Sequence, residues 1–117
     1  MGQPVVHFEL HGTDGEALSK FYGDVFGWKT TLHEPIGYRI VDTASGGTGI
    51  GGGIMQMPEG EPFVTFYVAV DDIDAALEQV AQRGGATVMP KEDVPEGPTI
   101  ALFRDPQGNV VWLLEGM

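Results

Sequence analysis

His7, Glu9, Thr65, Tyr67 and Trp112 are the side chains best placed by type and spacing to do chemistry. From Val5 to His11, apolar Val6, Phe8 and Leu10 alternate with polar His7, Glu9 and His11, the period of a half-buried strand. His7 and Glu9 therefore share one face. A carboxylate there can pair with a cationic group, or act as a base once burial raises its affinity for a proton. Glu9 is the candidate catalytic residue on this reading; a bland role as partner of Arg39 is the other reading. Tyr67 and Trp112 offer aromatic faces for stacking, or else simple core filling.

These residues fall into a repeat. Laying Val5–Leu10 on Phe63–Val68 gives an offset of 58 residues, which also puts Asp14 on Asp72, Ala17 on Ala75 and Gly27 on Gly85. Each half reads as strand, helix, glycine stop and three more strands. In the first half, Thr13 and Glu16 suit a capping box, and Leu18, Phe21, Tyr22 and Val25 make one apolar helical face ending at Gly27. Strands are expected over 28–32, 38–42 and 50–57, with Gly37 and Ser45-Gly46-Gly47 as turns. In the second half, Asp71 caps a helix whose stripe is Ile73, Ala76, Leu77, Val80 and Ala81, stopped by Gly84-Gly85. Strands follow over 86–90, 99–104 and 110–114, with Asp105-Pro106-Gln107-Gly108 as a turn. The fold class is α+β: one domain over 1–117, with module one about 4–57, a linker at 58–62 and module two at 63–115.

Composition narrows the partners. Six Lys plus Arg stand against 17 Asp plus Glu, a net charge of −11 that opposes nucleic acid and anionic membranes. The chain has no cysteine, so thiol catalysis and Cys-ligated zinc are out. No signal peptide or bilayer-length apolar run is visible, and a cytoplasmic location is expected. The glycine-rich run Gly46 to Gly53 has no following Lys or helix to hold a phosphate, and reads as a hairpin with a strand pressed against a neighbour. His11 and His33, near strand ends, are expected to be exposed.

Three segments carry a family resemblance: Phe21-Tyr22-Gly23-Asp24-Val25-Phe26-Gly27-Trp28, Val70-Asp71-Asp72 followed by a helix and Gly84-Gly85, and Asp105-Pro106-Gln107-Gly108-Asn109. With the doubled βαβββ pattern they resemble the vicinal-oxygen-chelate superfamily of glyoxalases, bleomycin-resistance proteins and extradiol dioxygenases. That resemblance implies curved sheets with outer helices and a small-molecule pocket between inward faces. In metal-dependent members, four inward side chains hold a divalent ion. His7 matches the first of these positions, the window Gly51 to Met55 the second, Thr65 the third and Trp112 the fourth. Thr65 is a poor ligand, Trp112 has only a donor, and Gln56 lies just past the window. With one match in four, the expectation is a metal-free pocket. Its ligand-binding residues would be His7, Glu9, Thr65, Tyr67 and Trp112, with Val110 and Leu114 beside them and the fourth-strand glycines leaving room.

The leading reading is a protein that binds or sequesters a small polar or aromatic ligand, with no cofactor. The alternatives are a metal-dependent lyase, isomerase or dioxygenase with a rearranged site using His7, and a partner-binding module without catalysis. A homodimer is the expected assembly.

Overall fold

The computed structural model describes residues 2–34, 36–43 and 47–116. Its elements are β1 (Val5–Gly12), α1 (Gly15–Phe26), β2 (Lys29–His33), β3 (Tyr38–Asp42), β4 (Gly52–Gln56), β5 (Phe63–Val70), α2 (Ile73–Gln82), β6 (Ala86–Asp93), β7 (Thr99–Arg104) and β8 (Val110–Glu115). The order is βαβββ twice over, in a mixed α+β fold. The chain forms two compact units, residues 7–64 and residues 65–117 with 1–6. The Ser45-Gly46 part of the expected turn lies outside the described residues.

In the first unit β1 runs parallel to β4, and β3 joins β4 and β2 antiparallel. The second unit repeats this plan: β5 parallel to β8, with β7 antiparallel to β8 and β6. One face of the first sheet meets α1, where Leu10, Val41 and Ile54 pack with Phe8, Leu18, Tyr22 and Trp28. In the second unit Val70, Ile73, Ala101 and Leu113 pack with Ala76 and Leu77 of α2. Burial of these apolar groups is the main stabilising term of each unit.

Both helices start one residue later than the sequence pattern suggests. Asp14, not Thr13, caps α1, its Oδ1 accepting from the Ala17 amide at 3.0 Å. Asp72, not Asp71, caps α2 through the Ala75 amide at 3.1 Å. A carboxylate satisfies an orphan donor and meets the positive helix end as well, which favours Asp over Thr. Replacing Asp72 with Ala is expected to cost about 1 kcal/mol in urea unfolding. No change in midpoint would show that the cap contributes nothing.

A second contact holds each helix start. The Gln56 carbonyl oxygen Oε1, at the end of β4, accepts from the Gly15 amide at 2.9 Å. Glu115 Oε2, at the end of β8, accepts from the Ile73 amide at 2.7 Å. Gly27 ends α1 in the left-handed region at φ 74°, as its position predicts. The Asp105 turn also forms, its Oδ1 accepting from the Gln107 and Asn109 amides at 2.8 and 2.9 Å.

The helical stripes are narrower than expected. Phe21 and Val25 are more than half exposed, and Ala81 is exposed. Leu18 and Tyr22, four residues apart, form the row that reaches the first sheet's core.

Candidate active site

The helix-free face of the first unit carries the candidate site. Strand alternation puts Phe8 and Leu10 under α1, so Glu9 and His11 point the other way. β1 continues to Gly12 and takes His11 with it. His11 is 5% exposed, not the exposed strand-end residue expected from its position. Glu9 is 0% exposed.

Glu9 is held at both oxygens. His11 Nε2 lies 2.6 Å from Oε2, and the Tyr38 hydroxyl donates to Oε1 at 2.8 Å. His7 Nε2 is 2.9 Å from the Tyr38 oxygen. Because Tyr38 spends its one proton on Glu9, His7 must donate to Tyr38. A carboxylate only accepts, so His11 donates through Nε2. The bland pairing of Glu9 with Arg39 does not form. Arg39 alternates to the other face, where its guanidinium sits over Gly15.

Tyr38 reaches Glu9 because of a glycine. Register aligns Glu9 with Gly53, and Tyr38 with Met55 and His11. The Tyr38 ring lies across Gly53, and a Cβ there would overlap its ring and hydroxyl. Gly52 likewise makes way for the Phe8 ring. The fourth-strand glycines are therefore filled by neighbouring rings rather than leaving pocket space, because the rings of β1 and β3 are long enough to reach over β4. The pressed-strand reading of this run holds at Gly52 and Gly53.

Burial lowers the His7 pKa below its usual 6.5, against a smaller opposing pull from Glu9. His7 is then neutral at pH 7, as its donor role to Tyr38 allows. The unfolded chain binds the proton more readily, so stability rises with pH through this range. His7 adds nothing to pH dependence above about 6.5, and stability falls as pH drops below that value. His7→Gln, which keeps a donor for Tyr38, should flatten that part of the stability profile; an unchanged slope would assign it elsewhere. Glu9 and Tyr38 are titratable groups that face His7.

The second unit holds the other predicted residues. Tyr67 and Trp112 are aligned across β5 and β8, with rings stacked at 5.3 Å and 9°. They pack with Leu114, Val6, Met89, Ile100 and Leu102. Thr65 is buried and its hydroxyl donates to the Val110 carbonyl at 2.7 Å. The structure thus brings His7 and Glu9 together in one unit and Thr65, Tyr67 and Trp112 onto one sheet face in the other. Tyr38 and His11 join Glu9 in this cluster, and the sequence pattern does not single them out. An open groove of about 480 Å3 beside α2, lined by Val68, Val70, Ala76, Phe103 and Leu113, has an apolar floor.

Beyond His7, the residues at the other three expected metal positions do not fit a divalent ion. Thr65 already donates its proton to Val110, Trp112 has no lone pair to give, and the β4 window is Gly51 to Met55. Gln56 serves Gly15 instead. Glu9 has both oxygens engaged by His11 and Tyr38. Among the described residues, no group of three or more His, Cys, Asp or Glu side chains is gathered as a metal site.

Residues 5–113 match the Glyoxalase/Bleomycin resistance protein/Dioxygenase superfamily. The chain belongs to this superfamily. It is 32% identical over 111 residues to CFP32 of Mycobacterium tuberculosis, covering 90% of this chain and 42% of that protein. The chain thus spans under half the length of that relative. It is also 32% identical over 108 residues to a glyoxylase-like domain-containing protein of Didymella fabae, covering 86% of this chain and 84% of the other. In fold it resembles methylmalonyl-CoA epimerase from Mycobacterium tuberculosis, with a TM-score of 0.67 at 17% identity, covering 97% of this chain and 87% of the epimerase. No helix among the described residues is long and apolar enough to cross a membrane.

Proposed function

We propose that this superfamily member binds a small polar or aromatic molecule without a metal ion, using His7, Glu9 and Tyr38 on the helix-free face of the first unit. One observation carries the reading. The repeat offset puts Thr65, Tyr67 and Ala69 where the first unit has His7, Glu9 and His11. The second unit builds the same strand arrangement with no ionisable carboxylate or imidazole there. Burying a carboxylate costs several kcal/mol before its partners repay it. The fold does not require that cost, so a ligand is the better account of it. Neutral His7, the Tyr38 hydroxyl and neighbouring aromatic rings suit a small planar ligand with polar edges. Tyr67 and Trp112 serve the second unit chiefly as packing on this reading, with Thr65 tied to its own strand neighbour.

The protein is read as cytoplasmic and homodimeric. Phe21, Val25 and Phe26 stand exposed along α1, and apolar surface of this sort marks association. Sedimentation equilibrium checks the dimer.

The test uses metal-stripped protein and a library of small aromatic and cationic compounds, followed by NMR of His7 and Tyr38. Ligands that shift these residues, and do so less in Glu9→Gln, are expected. The same protein is titrated with Mn, Fe(II), Co, Ni and Zn. Tight one-to-one uptake abolished by His7→Ala would overturn the metal-free reading. It would favour the metal-dependent lyase, isomerase or dioxygenase alternative, with which the name of the Didymella relative is in keeping. Neither ligand nor metal binding would leave a partner-binding module.

A further inference from the structure

We infer that His11 is the proton acceptor of this site, acting through Nδ1 on a small planar acid. The inference deepens the small-molecule reading and rests on it for the presence of a ligand.

His11 Nε2 is committed to Glu9 at 2.6 Å. That bond puts the ring proton on Nε2 and leaves the Nδ1 lone pair as the ring's basic site. Nδ1 is buried and has no hydrogen-bond partner among the described residues. An orphaned buried polar atom is costly, and such atoms are rare enough to need an account. The equivalent position in the second unit is Ala69, so strand packing does not demand an imidazole here.

A carboxylate that fixes the tautomer of an imidazole, leaving its far nitrogen free, is a general way to make histidine a directed base. Glu9 is the positioning residue in this arrangement. It also stabilises the imidazolium that forms. Tyr38, donating to the other oxygen, keeps the carboxylate from rotating away. The proton of the bound acid moves to Nδ1, and the electron pair of the broken bond stays with the ligand. Nε2–H remains on Glu9, so the new positive charge is paired where it arises.

Entry is through Phe63. Its ring stacks on the imidazole at 4.1 Å and 19°. Phe63 is 40% exposed, so it can swing out at small cost, and a planar ligand entering past it would meet Nδ1 edge-on, in the plane of the imidazole where the lone pair lies.

Two measurements test this. The first needs no ligand: nitrogen NMR of the histidine rings reads the tautomer of His11. In wild type, Nε2 is expected to carry the proton and Nδ1 to be bare. Glu9→Gln should invert this. Tyr38 requires an acceptor, so the amide oxygen faces Tyr38 and the amide NH2 faces His11, which drives the ring proton to Nδ1. Inversion reports the Glu9–His11 bond and the tautomer it sets; the role in proton transfer is read by the second measurement. The second uses 5-nitrobenzisoxazole, a planar carbon acid. Removal of its ring C–H proton breaks the N–O bond, and the electron pair ends on the phenolate oxygen of the isomeric cyanophenolate. Phe63→Ala should raise turnover over wild type. Adding His11→Gln or Glu9→Gln to Phe63→Ala should each lower it by about a hundredfold.

A protonated Nδ1 in resting wild type, or turnover in Phe63→Ala that is no faster than in Phe63→Ala/His11→Gln, overturns the inference. Those results would leave the binding reading standing. Histidine-dependent turnover with no hit in the compound library would instead overturn the binding reading as drawn and keep His11 as the acceptor.

Discussion

Gly53→Ala is expected to destabilise the protein by about 3–5 kcal/mol, a large loss for one methyl group. The methyl would occupy the space of the Tyr38 ring and hydroxyl. Tyr38 would have to leave, and its bonds to Glu9 and His7 would go with it. A fully buried carboxylate would lose a donor, which costs about 1.5–3 kcal/mol. Displacing the ring adds the strain of overpacking, about 1–3 kcal/mol. Tyr38→Phe isolates the first term, since it keeps the ring and removes only the hydroxyl. The double variant Gly53→Ala/Tyr38→Ala should cost clearly less than the sum of its single changes, because the two groups contest one space. Urea unfolding of wild type, Gly53→Ala, Tyr38→Ala, the double variant and Tyr38→Phe decides it. A cost for Gly53→Ala within about 1 kcal/mol of wild type would show that Tyr38 has another comfortable position.

The second large effect is at His11. His11→Ala should cost about 3–5 kcal/mol, because it strips the Oε2 partner from a carboxylate that water cannot reach. The size of that loss would not measure the worth of the pair. Replacing both members, as Glu9→Leu with His11→Leu, should recover most of the stability or exceed wild type, since no charge is then left buried. If the double replacement is as unstable as His11→Ala, the pair is holding the strand and not merely satisfying itself. If the double replacement does recover stability, the ligand-binding measurement above is expected to fail in it, because the stable variant lacks the polar cluster.

Much of this architecture was legible in the chain. The Gly27 stop and the Asp105 turn are local signals and form as read; β1 also forms, but it is buried on both faces from Glu9 to His11 rather than half-buried. The repeat offset paired Asp14 with Asp72, and these are the two helix caps, although Thr13 and Asp71 looked the better candidates. What escaped was set by register. Whether Tyr38 meets Glu9 depends on how β3 slides along β4, and a single sequence does not fix that offset. His11 belongs to the alternating polar face, but its burial depends on the Phe63 ring, which comes from far along the chain and leaves no local signal. Glycines at 52 and 53 signal close approach, but not which ring approaches.

The paired contacts at the helix starts bear on how the chain folds. Gly15 to Gln56 closes 41 residues, and Ile73 to Glu115 closes 42. Closure entropy grows only with the logarithm of loop length, so distance along the chain gives neither half a head start. The first residue of each helix breaks the tie. Ile73 is fully buried against Val70, Ala101 and Leu113, while Gly15 brings no side chain to its sheet. The half containing α2 can therefore reward its own closure with apolar burial at once. Substitutions around Ile73 should slow folding, and those around Gly15 should mainly hasten unfolding, so that two copies of one plan mature in a fixed sequence.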